Sequence, residues 1–413
     1  MYRRNITTNI LDALEDTPVV FLRGARQTGK STLVQMLTDG QYPAHYVTLD
    51  NAGILSAASS DPAGFIAGIK KPVVIDEVQR VPELFLSIKE DVDRHRQPGR
   101  YLLTGSADVL TVPRVSDALA GRMEVLTLWP LSLGEIKGNG ENIVNLLFAE
   151  GFPYCLYEDT SFDWPSALIQ GGFPEPLQRS ANRRFAWFES YITTILDRDI
   201  RDLSQIQDLA VVPRLLKLLA WRMASLHNQS EISRSSGIAN STLSRYMALL
   251  KTTFLVQEIP AWASNLGKRL VKAPKIFMVD TGLACHLLGL DQKRLQQEKE
   301  IAGRVFENFV ALELIKHASW SNKYVRPYHF RSQIGQEVDI VLEDQGGNIV
   351  GIEVKLSATL SPQDFSGLKL LREHLGKKFV RGVLIYTGNE IVPFAENLHA
   401  VPARFLFAGN PAH

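Results

Sequence analysis

The stretch Pro18-Val19-Val20-Phe21-Leu22-Arg23-Gly24-Ala25-Arg26-Gln27-Thr28-Gly29-Lys30-Ser31-Thr32 decides the fold. Its first part is a continuous apolar run, the pattern of a strand buried on both faces. Its second part fits G-x-x-x-x-G-K-[ST], and a helical pattern opens at Lys30. Strand, glycine-rich turn and helix in that order make a phosphate cradle. Glycines let backbone N–H groups close round phosphate oxygens. The helix N-terminus adds positive potential. On this reading Gly24, Ala25, Arg26, Gln27, Thr28, Gly29, Lys30, Ser31 and Thr32 hold ATP. Lys30 reaches the β- and γ-phosphates, and the Ser31 hydroxyl binds Mg²⁺.

Outward from this loop, AHYVTLD (44–50), PVVIDEV (72–78), RYLLTGS (100–106) and EVLTLWPLS (124–132) read as further strands. A helix beginning at Pro82 and carrying Leu84, Phe85 and Ile88 lies between two of them. Buried strands alternating with helices imply a parallel sheet covered on both faces. The strand at 73–75 delivers Asp76 and Glu77 at its end. Asp76 is expected to hold Mg²⁺, mainly through water, and Glu77 to orient and deprotonate the attacking water. Ser106, in Thr104-Gly105-Ser106, is placed to sense the γ-phosphate, with a helix cap as the plain alternative. Arg122 is placed to reach a neighbouring subunit's nucleotide, with a solvated arginine as the plain alternative.

The pattern changes after Pro130. The expected organisation is an ATPase core over 1–132, a helical connector over 133–205, a winged helix–turn–helix over 206–298 and an α/β domain over 299–413. Segment 209–227 has one strong apolar face at helical spacing, as a core helix should. Ser230–Ser233 opens a short helix, Gly237 makes a turn, and a second helix runs from Asn240 to about Lys251. Ile232, Ile238, Leu243, Met247 and Leu250 form the expected core. Ser241, Thr242 and Arg245, at the front of the second helix, suit phosphate and base-edge contacts in a major groove. Apolar strands at 254–260 and 275–280 flank a basic loop with Lys268, Arg269, Lys272 and Lys275, read as a wing on the DNA backbone. A module used for protein contacts or as an ATPase lid is the alternative.

Near the C-terminus, Glu337–Leu342 and Ile349–Lys355 read as strands joined by the turn Gln345-Gly346-Gly347-Asn348. Side chains alternate along a strand, so Glu353 and Lys355 share a face. Asp339 sits beside them across the hairpin. Asp339 and Glu353 make an oxygen-rich Mg²⁺ site, Lys355 a catalytic cation, Glu307 on the preceding helix a further acid, and Gln363 a phosphate contact. A hairpin with surface charges, or an inactive form of such a site, remains open.

RGARQTGKST, VVIDEVQR, LLTGSA and LAGRMEVLTLWPLSLGE resemble the ATPase module of a prokaryotic AAA-superfamily group. In that group a P-loop ATPase is fused to a helical, winged-helix-containing region and a restriction-endonuclease-like tail. GGFPE (171–175), ILDRDI (195–200) and KIFMVDTGLA (275–284) resemble it too, and Asp339, Glu353 and Lys355 look like its D…(D/E)-x-K signature. The resemblance implies an α/β chain: a parallel-sheet P-loop NTPase core, a helical and winged-helix middle and an α/β restriction-endonuclease-like end. It implies ATP binding and hydrolysis with Lys30, Ser31, Asp76 and Glu77 in the usual places.

Lys+Arg 45 against Asp+Glu 44 leaves a net charge of +1, which excludes a uniformly basic nucleic-acid binder but not a local basic face. Hydrophobic residues at 45% exclude a disordered chain. Cys155 and Cys285 are too few for a disulfide framework and fit a reducing cytoplasm. No apolar run long enough for a membrane span occurs. His45, His227 and His286 show no metal spacing and read as structural or surface residues. The expected partners are ATP, DNA and a second copy of the chain. The leading reading is a Mg²⁺-dependent ATPase acting on or with DNA, with a metal-dependent nuclease tail. The alternative is a nucleotide-controlled switch whose C-terminal domain binds DNA or protein without cutting.

Overall fold

Five short strands carry the first motifs: β1 (Val19–Arg23), β2 (His45–Thr48), β3 (Val73–Asp76), β4 (Tyr101–Gly105) and β5 (Met123–Thr127). They form one parallel sheet in the order β2-β3-β4-β1-β5. The computed structural model describes residues 2–106, 119–152, 162–200, 211–332 and 334–407, without the side chains of 198–200, 266 and 268. Cys155 and the side chain of Lys268 fall outside the described parts. The chain divides into two compact units. One holds Arg4–Pro130 with Thr252–Phe254, and the other joins Leu131–Lys251 to the chain from Leu255 onward.

In the first unit, β1 pairs with strands on both sides, so Val19, Val20, Phe21 and Leu22 are all buried. Helix α1 (Lys30–Thr38) follows the glycine-rich turn, and α2 (Leu84–Arg94) buries Leu84, Phe85, Ile88 and Val92. Phe85 meets Phe21 edge to face, with ring centroids 6.1 Å apart. Because the strands are parallel, the loops after β1, β3 and β4 emerge at one edge of the sheet. That is where an open α/β sheet binds its ligand.

The second unit opens with short helices. Segment 209–227 does not stay helical to its end: the helix is Val211–Trp221, and Ser225–Leu226 form a strand, β6. Ala224 in the left-handed region (φ 59°) ends the helical path. After Gly171-Gly172 the chain makes a single helical turn, Pro174–Leu177. Helices α3 (Gln229–Ser236) and α4 (Asn240–Thr252) flank Gly237, and Ile232, Ile238, Leu243, Met247 and Leu250 are buried between them. Strands β7 (Val256–Ile259) and β8 (Lys275–Met278) are antiparallel, and β8 lies between β7 and β6. Helix α5 (Thr281–Leu288) comes next.

Helix α6 (Lys299–Ala318) and helix α7 (Ser366–Leu375) accompany a mixed sheet. Its strands are β9 (Val325–Arg331), β10 (Glu337–Asp344), β11 (Ile349–Lys355), β12 (Phe379–Tyr386), β13 (Val392–Ala395) and β14 (Leu398–Pro402). Their order is β13-β14-β12-β11-β10-β9. The chain leaving β7 runs beside β9, with the Trp262 N–H donating to the His329 carbonyl at 2.6 Å. Among the described residues no helix is long and apolar enough to cross a membrane.

Two of the resembling segments meet inside this unit. The buried carboxylate of Asp280 accepts the Gly172 N–H at 2.6 Å and the Leu283 N–H at 2.8 Å. A Cβ on Gly171 would stand 2.3 Å from Asp280 Oδ1, and Gly171 has φ 65°, so glycine is required there. Burial pushes the Asp280 carboxyl up from its ordinary value, and the backbone donors work against that shift.

Candidate active site

The loop between β1 and α1 is built from close backbone approaches. A Cβ on Gly24 would lie 2.2 Å from the Leu128 carbonyl oxygen, so only glycine lets the loop leave β1 here. Lys30 is buried, and its ammonium donates to the carbonyls of Gly24 at 3.0 Å and Ala25 at 2.9 Å. Thr28 ties its hydroxyl to the Ala25 carbonyl at 2.9 Å. Arg4 braces the loop from outside, donating to Thr28 O at 2.7 Å and Trp129 O at 2.6 Å. Thr32 and Gln27 are exposed, and Arg26 is half-buried.

Asp76 closes the site from β3. Its Oδ1 accepts Ser31 Oγ at 3.1 Å and the Thr104 hydroxyl, and its Oδ2 accepts Tyr46 Oη at 2.9 Å. Burial, then the Asp76 charge, pushes the Tyr46 phenol up to about 12, so it stays a donor. Glu77 adopts φ 59°, which turns it away from the line of β3. Its N–H donates to Thr104 Oγ1 at 3.1 Å, and its Oε2 accepts Ser106 Oγ at 3.1 Å and the Gln79 amide. Gln79 also donates to Ser106 Oγ at 2.9 Å. Thr104 and Ser106 thus hold the two carboxylates. Ser31 and Asp76 lie close enough to share one Mg²⁺, the ion that neutralises charge on β- and γ-phosphate oxygens.

Lys30, Ser31, Asp76, Glu77 and Ser106, singled out in the sequence, therefore surround one edge of the sheet. Arg4, Tyr46 and Gln79 were not foreseen. Gln79 reaches Glu77 because Glu77 turns the chain through a left-handed residue into the short turn Val78–Arg80, and neither that turn nor the places of Arg4 and Tyr46 are marked in the sequence. Arg122 stands at the other edge. It precedes β5, its carbonyl accepts the Val19 N–H at 3.2 Å, and its guanidinium donates to Asp93 and to Ala120 O at 3.1 Å. β1 separates that edge from Lys30 by roughly 16 Å. Arg122 cannot touch the nucleotide of its own chain.

In the second unit Ser241 and Arg245 are exposed and Thr242 is half-buried at the front of α4. The basic loop departs from expectation. It contains a helix, Leu266–Val271, and two of its cations, Arg269 and Lys275, turn inward, while Lys272 stays exposed. Arg269 pairs with Glu343 through two hydrogen bonds, one of 2.9 Å, and lies over Trp262 and Tyr328, 5.1 Å from each ring centre. A bidentate carboxylate and two aromatic faces hold it more firmly than solvent would. Arg269 is therefore not a DNA-facing wing residue. Lys272 caps the Arg331 carbonyl at 3.2 Å.

Lys275 departs further. It is buried, and its Nζ lies 2.8 Å from Glu307 Oε1 and 3.0 Å from Asp339 Oδ1. The register Ile340↔Ile352 sets Asp339 opposite Glu353, as the hairpin predicts. Asp339 Oδ2 accepts the Val354 N–H at 3.0 Å, and Asp339 hydrogen-bonds Glu353. Burial and then the Asp339 charge push Glu353 well above the carboxylate range, so Glu353 holds the proton between the two. Burial would raise Asp339 as well, but Lys275 and the two hydrogen bonds outweigh it and hold Asp339 below its ordinary value. Lys355 does not join them. Its ammonium pairs with Asp364 at 2.9 Å and is 52% exposed. Gln363 is exposed beside that pair. With Lys275 between Asp339 and Glu307, a divalent ion does not fit, and among the described residues no three His, Cys, Asp or Glu side chains are arranged to hold one.

Burial and Asp339 push Glu307 up to about 8. Its unfolded value lies near 4.5, so its folded value is raised. The stability it contributes is full below about pH 4.5 and is lost as pH rises through about 8. We expect the urea midpoint to fall over that window and Glu307→Gln to flatten that part of the slope. Equal slopes for the two proteins would refute the assignment.

His227 and His286 are tied to Glu258 at 2.7 Å and Glu189 at 3.0 Å, as structural residues.

Three family models match the chain: an AAA domain over residues 16–137, a domain of unknown function (DUF8612) over 161–294 and another (DUF4143) over 302–406. An uncharacterized protein of Mycobacterium tuberculosis, Rv2008c, is 30% identical over 403 residues, covering 97% of this chain and 83% of that protein. Mb2031c of Mycobacterium bovis gives the same figures. An uncharacterized protein of Haemophilus influenzae is 23% identical over 76% of this chain and 78% of its own length. Among solved structures, the Walker-type ATPase PABY2304 of Pyrococcus abyssi aligns with a TM-score of 0.43 at 15% identity, over 70% of this chain and 96% of that one. The RuvB Holliday junction branch migration motor of Thermotoga maritima aligns with a TM-score of 0.28 at 18% identity, over 63% and 90%.

Proposed function

The chain belongs to the family of the mycobacterial proteins Rv2008c and Mb2031c, and from that premise we propose that it is a Mg²⁺-dependent ATPase acting on or with DNA. Its N-terminal unit carries the AAA domain. The observation that carries the reading is the set centred on Asp76, with Ser31 at 3.1 Å and Glu77 held alongside by Thr104, Ser106 and Gln79. The phosphates lie in the loop from Gly24 to Ser31. Lys30 exchanges its two loop carbonyls for phosphate oxygens. Glu77 takes the proton of the attacking water, and its hydrogen bonds to Gln79 and Ser106 fix where that carboxylate points. Arg122 supplies its charge to the nucleotide of an adjacent copy, which makes the working form a homo-oligomer.

The DNA half of the reading rests on exposed Ser241 and Arg245 at the front of α4. For the C-terminal domain we take the form that binds DNA or protein without cutting. Lys275, seated among the acids, is the specific observation that favours it over a metal-dependent nuclease.

One experiment tests both halves: Mg²⁺-dependent phosphate release and duplex-DNA binding by the wild type, Lys30→Ala and Arg245→Ala. Lys30→Ala should lose turnover. Arg245→Ala should keep it and weaken DNA binding, with the salt slope falling by about one. Wild-type turnover by Lys30→Ala removes the ATPase reading, and no measurable DNA affinity at low salt removes the DNA half.

A further inference from the structure

Asp339 and Glu307 converge from a strand and a helix of the second unit on one ammonium, and Glu353, on the neighbouring strand, hydrogen-bonds Asp339. The geometry around Lys275 Nζ is that of a cation in a ligand shell. Oxygens of Asp339 and Glu307 approach it at 3.0 and 2.8 Å, from residues 32 positions apart in sequence. The Val354 N–H holds Asp339 Oδ2 at 3.0 Å, which leaves Oδ1 aimed at the ammonium. Only 4% of the Lys275 side chain is exposed.

Lys275 does not come from the sheet that carries Asp339 and Glu353. It is the first residue of β8, pinned on one side by Leu226 of β6 and on the other by Ile259 of β7. Strand pairing on both flanks fixes its backbone, so the ammonium is delivered at the end of a tether anchored elsewhere. Arg269 and Glu343 add a second clasp between the same two segments. A hard divalent ion takes oxygens at about 2.0–2.6 Å and needs the space these oxygens enclose. The ammonium fills it with one charge between the two acids, and burial gives those acids no solvent to turn to.

We infer that Lys275 is the resident cation of this pocket: it stands between Asp339 and Glu307 where a divalent ion would, keeps the C-terminal domain from loading metal, and its removal leaves those two carboxylates free to take a divalent cation that completes its shell with water. This is independent of the ATPase reading, since it concerns none of the residues near Lys30. It gives Lys275 a role that neither a wing on DNA nor a surface ion pair provides.

The test uses the full chain without nucleotide and Mn²⁺ as the probe, with uptake followed by calorimetry and by the electron paramagnetic resonance of free Mn²⁺. Wild type and Asp339→Asn should bind Mn²⁺ alike. Lys275→Met should gain one Mn²⁺ per chain, at least tenfold tighter than anything in the wild type. Its lowered melting temperature should recover as Mn²⁺ is added. Lys275→Met with Asp339→Asn should lose both effects. Should Lys275→Met not fold, Lys275→Gln, which keeps a polar head without charge, takes its place in the same titration. Mn²⁺ uptake by the wild type that Asp339→Asn removes would overturn the inference, and so would a folded Lys275 variant that gains no ion.

Discussion

Glu77→Gln should bind ATP as the wild type does and lose turnover by about 10²–10⁴-fold, the usual worth of a positioned general base. The substitution keeps the shape of the side chain and its place beside Ser106, 3.1 Å from Glu77 Oε2. It removes the only function that needs a carboxylate, acceptance of a proton. The Glu77 N–H stays on Thr104 Oγ1, and Asp76 keeps Ser31 and Tyr46, so the nucleotide pocket is untouched. Steady-state phosphate release and titration with a fluorescent ATP analogue separate the two effects. Turnover at the wild-type rate would mean that another group activates the water. Loss of binding together with turnover would mean that Glu77 shapes the pocket instead.

Asp280→Ala should destabilise the second unit by about 2–4 kcal/mol. The buried carboxylate accepts the Gly172 and Leu283 N–H groups, and alanine leaves both donors without an acceptor inside the protein. It also removes the N-cap of α5. Asp280→Asn retains one acceptor oxygen and should lose about half as much. Urea unfolding of the two variants against the wild type measures the difference. A midpoint unchanged in Asp280→Ala would show that the segments around Gly172 and Leu283 are held together by something else.

The sheet of the first unit was legible because each of its signals is contiguous. Apolar runs of four or five residues gave β1, β3 and β4, and the residues that follow each run are the ones that reach the site. The hairpin that pairs Asp339 with Glu353 was legible for the same reason: alternation and a short turn fix register. Lys275 and Arg269 were not. Their partners, Glu307, Asp339 and Glu343, lie 32 to 74 residues further along, and a cationic loop has the same composition whether it faces phosphate or a buried acid. Lys355 shows a different limit. Alternation settles which face a side chain leaves from, but four methylenes let the head choose among neighbours, and Asp364 won it. Arg122 was singled out as an arginine for a neighbouring subunit's nucleotide, and its place at the far end of β1 from Lys30 follows only once β5 is known to pair with β1.

The position of Lys275 also bears on how this chain can be divided. The matched C-terminal region begins at residue 302, past β8. A fragment cut there would inherit Glu307, Asp339 and Glu353 and leave their counter-charge behind. Grafting that region onto a different ATPase would carry the same debt unless the recipient brought a cation of its own. Shuffling between relatives should therefore succeed when the exchanged piece starts upstream of Lys275 and fail when it starts after it. What travels as a module is the sheet together with the strand that precedes it.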